Sequence, residues 1–509
     1  MRPIRLTLLF VCALAGLRAQ NSPTFTPGAA ARFLDQAAWG ATPADIAHLQ
    51  QVGFDAWLNE QFAMPPSAIP DVPDPIKPLN SVRQQFFVNA VSGRDQLRQR
   101  AAFALGEIWV VSNVKLKSQA IPPYLRLLSD RAFGNYFDLM NAVTLSPAMG
   151  HYLDMVNNDK PADGQEANEN YARELNQLFT IGTVLLNPDG TVQTDGSGRP
   201  VPAYDQSVVQ AFARAFTGWT YAPLPGAQPR RHNPPNWDAP MVAVEANHDE
   251  NAKALSNGQT LPAGQTAEQD LHQALEIVFQ HPNVGPFVCQ QLIQHLVTSN
   301  PSPAYVQRVA AVFANNGSGV RGDLKAVIRA ILLDQEARSG DPPAVPAANE
   351  GHLREPAFYV PALLRGLGAS VAVDNTLPQF IAKQGQTLYA PPSVFSYFSP
   401  GYRIADGKLL GPEFQIQSPS VSMLRADMVN ALVNGGIKGV TFDQTPFTSL
   451  AAMPDSLLDY LSALLFHGQM PDDMRATIKT AMAAAPTGAM KARAAIYLAA
   501  SSSQYQVER

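Results

Sequence analysis

A chain of 509 residues with a formal net charge of −5 and only 16% charged residues, against about 25% in an average domain, lacks the basic surplus that nucleic acid or anionic lipid demands. Its two cysteines exclude a disulfide framework, and no haem-attachment, iron–sulfur, nucleotide or Rossmann motif is present. Length alone would suggest two or three domains.

Residues 1–19 read as an export signal: Arg2 and Arg5 are followed by an apolar run from Leu6 to Leu17 and a small residue, Ala19, before Gln20. That run is shorter than the ~20 residues a bilayer anchor needs. The mature chain is thus expected to begin near Gln20, to be periplasmic or secreted, and to carry no membrane anchor. Cys12 lies inside the run, leaving Cys289 alone in the mature protein.

Two helices are expected between Gly28 and Phe62, the second opened by Thr42-Pro43 as cap and first residue. Residues 63–80 are proline-rich and read as a linker or surface loop. Helix resumes over 81–115, where Phe86, Phe87, Leu97, Phe103, Leu105, Ile108 and Trp109 keep apolar spacing, and again over 122–140. The polar loop 157–164 places Asp159, Asp163 and Gly164 at positions 1, 5 and 6 of a calcium-loop frame. The frame fails at Pro161 and at Asn170, where a bidentate glutamate belongs. An irregular cation site from Asp159, Asp163, Glu166 and Glu169 is the alternative.

The segment Asn168–Thr183 predicts a helix with unusual polar content. At 100° per residue Tyr171, Leu175, Leu178 and Phe179 share the core face. Asn170, Glu174 and Gln177 flank it, Glu169 and Arg173 form an i,i+4 pair on the far side, and Gly182 is a natural stop. If a second layer covers that far side, Glu169, Arg173 and Glu174 become a buried polar cluster. The turns Asn187–Gly190 and Asp195–Gly198 then predict a small β-hairpin excursion over 184–204. Asp205 caps a helix whose core face is Val208, Val209, Phe212 and Phe216. Residues 222–265 are long, irregular and rich in Pro, Asn and Gly, and hold His248, Asp249 and Lys253; such a segment could lie over the polar helix. From Thr266 to Arg338 amphipathic helices follow one another, 339–350 is a second Pro/Ala linker, and helices dominate from Glu355 to Val507 around an irregular aromatic stretch at 384–414. The fold expected is all-α, mainly helical, with one hairpin excursion, and residues 20–509 form a single large unit.

Several ordered motifs resemble one bacterial exported family, domain of unknown function 1800. They are Asn168-Glu-Asn-Tyr-Ala-Arg-Glu-Leu175, Ala213-Arg-Ala-Phe-Thr-Gly-Trp219, His248-Asp249, His281-Pro-Asn283, Val320–Arg329, Arg354-Glu-Pro356, Pro392-Ser-Val-Phe395 and Pro412-Glu-Phe414. The likeness spans about Ala30 to Val507. It implies a secreted helical protein, often encoded beside another exported protein, which becomes the expected partner. It carries no activity. Two departures stand out: Val208 occupies a position where members carry Asp, and the 248–253 loop lacks the glycine that usually follows the acid.

Two functions fit these residues. A binding or scaffold protein would use Glu169, Arg173 and Glu174 as a buried polar lock, with Asn168, Asn170, Trp219, Lys253, Arg354 and Glu355 as ligand-binding candidates. A hydrolase would use Glu169 and Glu174 with His248 and Asp249 as acid, base or ligands to a divalent cation. The usual nucleophile and metal motifs are missing, which favours the first.

Overall fold

Repeated Thr-Pro and Ser-Pro pairs open many of the helices in the computed structural model, which describes residues 25–72, 78–162, 164–405 and 407–509. Thr26, Thr42, Ser302 and Ser418 each turn a hydroxyl onto a backbone amide two or three residues into the helix that follows, with proline in its first turn. The hydroxyl satisfies an amide the helix cannot, and proline has no amide to lose. Thr266 and Gln269 complete a capping box on Ala267–Phe279. The stretch 1–19, expected as an export signal, lies outside the described residues.

Helices dominate, as the periodicity predicts, and among the described residues the strands pair only in four two-residue antiparallel ribbons. The 184–204 excursion is a short meander held by the bridges Val184–Pro202, Leu186–Val192 and Thr194–Pro200. Asn283, at the N-terminal boundary of the Val284–Leu296 helix, spends its side chain on this meander: it accepts from Leu186 N and donates to the carbonyls of Ile181 and Val184. Both proline-rich stretches are tied down where they are described. Ser67 is bonded through N and Oγ to Asp95, and Asp341 and Glu350 hold the buried Arg32.

Two hydrophobic cores form. The first gathers the helices between Ala30 and Ala337, including Leu97, Ala101, Leu105 and Ile108. The second gathers the helices between Ala357 and Tyr505, and takes in Trp39, Phe86 and Phe87 from the N-terminal part. The Gln96–Ile108 helix runs along the seam. Its apolar stripe belongs to the first core, while Arg100, Phe103 and Glu107, at i, i+3 and i+7, share the face turned to the second. Buried arginines stitch the cores together. Arg354 pairs with Asp35; Arg365 reaches Asp45 at 2.6 Å and the carbonyls of Gly40 and Val91 at 2.8 Å.

The Asn168–Thr183 helix differs from its prediction. It is α-helical only over Asn170–Glu174 and continues as a π-helical turn over Leu175–Thr180. Tyr171, Leu175 and Phe179 are buried as expected. The wider turn also carries Asn176 and Thr180 fully inside and leaves Leu178 half-buried, because each π turn adds a residue and rotates the faces that follow. Gly182 ends it at φ +78°, where a Cβ would come within 2.8 Å of the Phe287 ring.

Candidate functional site: a buried carboxyl cluster at the seam

Glu107 is a lone acid in the apolar run Ala101–Trp109, and the helix carries it to where the two cores meet. Its side chain is 4% exposed and neither oxygen receives a hydrogen bond from a donor. Another acid, Glu355, stands within hydrogen-bonding reach of it, so the two carboxyls can share a proton. Burial first, then Glu355 and Glu413, push the Glu107 pKa well above the usual carboxylate range, with Arg100 pulling the other way. Burial likewise pushes Glu355 up to about 7, opposed by its Gln386 hydrogen bond and reinforced by Glu413. Two carboxyls this close in a dry site cannot both ionise cheaply, so the pair holds one proton near neutral pH.

Around the pair stand groups of fixed charge. Burial lowers the basicity of His352, but Glu508 and Glu413 outweigh it and hold its pKa at about 10. Its Nδ1 lies 3.2 Å from Glu413 and its Nε2 3.2 Å from Glu508. His295 goes the opposite way: burial, His352 and Arg100 bring it down to about 3. Its contact with Glu107 at 3.6 Å therefore joins a neutral imidazole to a carboxyl, and is no ion pair. Arg100 donates to the His295 carbonyl and lies 4.3 Å from the centre of the Phe358 ring. The ribbon pairing His352–Leu353 with Val507–Glu508 brings Glu508, at the far end of the chain, into the cluster.

Two cavities meet at Glu107. The larger, about 120 Å³, has Trp39, Phe86, Phe103, Tyr124, Tyr389 and Tyr397 in its wall, and the smaller, about 50 Å³, reaches His295, Gln294 and Glu413; both are bounded by Glu107 and Ser396. Tyr389 and Ser396 sit at φ +61°, a left-handed conformation that costs a non-glycine residue roughly 1–3 kcal/mol. The surroundings over-determine that strain. Asn113 N donates to Tyr389 O, Ser112 Oγ to Pro391 O, and the Tyr397 hydroxyl to Thr387 O.

The other expected residues are placed elsewhere. Glu169 and Arg173 pair at 2.5 Å with side chains 25% and 39% exposed. Gln206 bridges both, at 2.7 Å and 3.2 Å. The expected burial is thus reached only in part. The hydrogen-bonded cover is the first residue of the Gln206–Ala215 helix, while the loop carrying His248 is bonded to other partners. Glu174 is half-buried, and burial raises its pKa against the pull of Arg173. Asn168 and Asn170 are bonded to Asn158 and Asp154.

His248, Asp249 and Lys253 do come together, in a lock, while Trp219 is buried in a ribbon opposite Ala243. Lys253 Nζ lies 2.5 Å and His248 Nε2 3.1 Å from the same Asp270 oxygen, all three side chains at 0% exposure. Arg214 holds Asp249 at 2.6 Å, and Gly218, at φ +87°, lets the chain pass against His248. Neither cavity reaches this lock. Of the cation candidates, Asp163 lies outside the described residues, Asp159 is paired with Arg231 and His232, Glu166 is exposed, and Glu169 is taken by Arg173. Among the described residues no three acids, histidines or cysteines stand close enough to hold one metal ion.

Arg354 and Glu355 were marked by resemblance, and they belong to the seam. Glu107, His295, His352, Glu413 and Glu508 were missed. Glu413 was visible only inside the Pro412-Glu-Phe414 motif; Glu107 was signalled by an isolated acid in an apolar helix.

The profile of the family described as "Protein of unknown function (DUF1800)" matches residues 32–507, so the chain belongs to that family. No curated protein and no solved structure matches it.

Proposed function

We propose that this member of the DUF1800 family is an exported binding protein that takes a ring-sized, largely apolar molecule into the larger cavity and meets its polar end with Glu107. One observation carries the reading: a carboxyl group, buried and without a hydrogen-bond donor, forms part of an aromatic-walled cavity of about 120 Å³. An engineered cavity of ~150 Å³ holds benzene, so the volume suits a single ring. A strained residue where the two cavities meet, Ser396, and another in the wall of the larger one, Tyr389, are what a preorganised site requires. Export is supported by the charged-then-apolar pattern of residues 1–19, and N-terminal sequencing of the secreted protein should begin near Gln20.

The binding test is calorimetric titration of the mature protein with toluene, benzyl alcohol and benzylamine. At least one should bind at one per chain, and Ala102→Phe, which fills the cavity without touching Glu107, should abolish it. Binding by none of the three, or unchanged binding to the filled variant, contradicts the reading.

A second reading rests on the Glu107–Glu355 pair. Two coupled carboxyls sharing a proton form an acid–base set, and a bound molecule with an acid-labile bond would meet it. Turnover of a bound probe that Glu355→Gln abolishes without weakening binding would establish it; intact probe after prolonged incubation would remove it.

A further inference from the structure

The cavity wall carries more chemical information than its volume. Among its lining residues are six aromatic rings and two acids, Asp95 and Glu107, and no lysine, arginine or histidine. The two acids differ. Asp95 is committed, accepting from Ser67 N at 2.7 Å, from Ser67 Oγ, and from Gln99 Nε2 at 2.8 Å. Glu107 has no partner except the proton it shares with Glu355. Two of the ring hydroxyls are committed as well: Tyr124 donates to Trp109 O and Tyr397 to Thr387 O, each at 2.6 Å.

A molecule in this cavity therefore meets π faces along its sides and, at Glu107, a carboxyl group that wants donors. Glu355 and Glu413 add negative potential at Glu107, of which Arg100 offsets a smaller part. An anion is repelled. A neutral hydroxyl offers one donor. An ammonium group offers several, brings the positive charge that the shared proton otherwise supplies to the carboxyl pair, and is attracted to the faces of the surrounding rings.

We infer that the cavity selects an organic cation, a primary amine on a single apolar ring or a short apolar stem, with its ammonium on Glu107 and its apolar part among the rings of Phe86, Phe103 and Tyr389. This deepens the binding reading and rests on it. No covalent step is involved; the ammonium displaces the shared proton, which leaves to solvent.

The test compares four probes of one shape on the mature protein: benzylamine, benzyl alcohol, toluene and benzoate. Benzylamine should bind at least about tenfold more tightly than benzyl alcohol, an advantage of ~1.4 kcal/mol, and benzoate should not bind. Glu107→Gln should erase the advantage of the amine while toluene binds as before. Toluene or benzyl alcohol binding as tightly as benzylamine to the unmodified protein overturns the amine inference and leaves the binding reading standing. Failure of every probe, or equal benzylamine binding to Ala102→Phe, overturns both. The comparison among probes uses the natural sequence, so it does not depend on how well a Glu107 variant folds.

Discussion

At the scale of single residues the seam is a set of acids and bases whose protonation folding has fixed, and its sign can be worked out. Glu355 keeps its proton to about pH 7, whereas the unfolded chain releases it near pH 4.5. The folded state thus binds more protons over that window, and stability falls as pH rises through it. Glu355→Gln does not titrate, so its melting temperature should gain on that of the natural chain between pH 4.5 and 7, by up to roughly 3 kcal/mol of stability. A difference that stays constant with pH would contradict the account. The lock at Asp270 makes a separate prediction. Lys253→Met leaves a carboxylate at 0% exposure with only His248 beside it, and should cost about 3–5 kcal/mol in chemical denaturation. Probe binding at the seam should survive, because neither cavity includes these residues.

The element that departs most from its sequence pattern is the π turn at Leu175–Thr180. Apolar spacing marked Tyr171, Leu175 and Phe179 as inward, and they are. It could not show that Asn176 would go in with them, because the change from 3.6 residues per turn is imposed by packing and leaves no local signature. Gly182 was readable as the stop, and its requirement is now specific: a positive φ and no room beside Phe287. Gly182→Ala should lower stability by at least about 1–2 kcal/mol from the backbone term alone; a change within a few tenths would mean that the turn relaxes. Caps at Thr42 and Asp205 were equally legible, because a cap is written within four residues. Neighbours of Glu107 were not. Helical periodicity assigns it a face and says nothing of which distant segment meets that face, and Glu355, Glu413 and Glu508 come from three different parts of the chain. The polar helix drew attention with its density of carboxylates, yet it ended half-exposed. A single glutamate in an apolar run was the better signal for a buried site.

Across the whole molecule, buried charge joins the two cores alongside the aromatic packing around Trp39. Asp35 illustrates it: burial pushes its pKa up, but Arg354 and His467 together hold it at about 2. Such networks contribute little net stability compared with apolar packing, but breaking one member is costly, so they fix how the cores dock. Glu508→Gln tests this at long range. It removes one of the two acids that keep His352 protonated to about pH 10. The natural chain should lose stability as pH rises from 6.5 toward 10, since the unfolded histidine gives up its proton first. In the variant that loss should be shallower, and the starting stability lower by a few kcal/mol. An unchanged slope would show that Glu413 alone suffices.

The most direct check of the central claim is a crystal of the protein soaked in benzylamine. The account predicts one ring in the cavity beside Phe86, Phe103 and Tyr389, with the nitrogen within hydrogen-bonding distance of a Glu107 oxygen. A ring bound away from that cavity, or seated there with its nitrogen turned from Glu107, would contradict it.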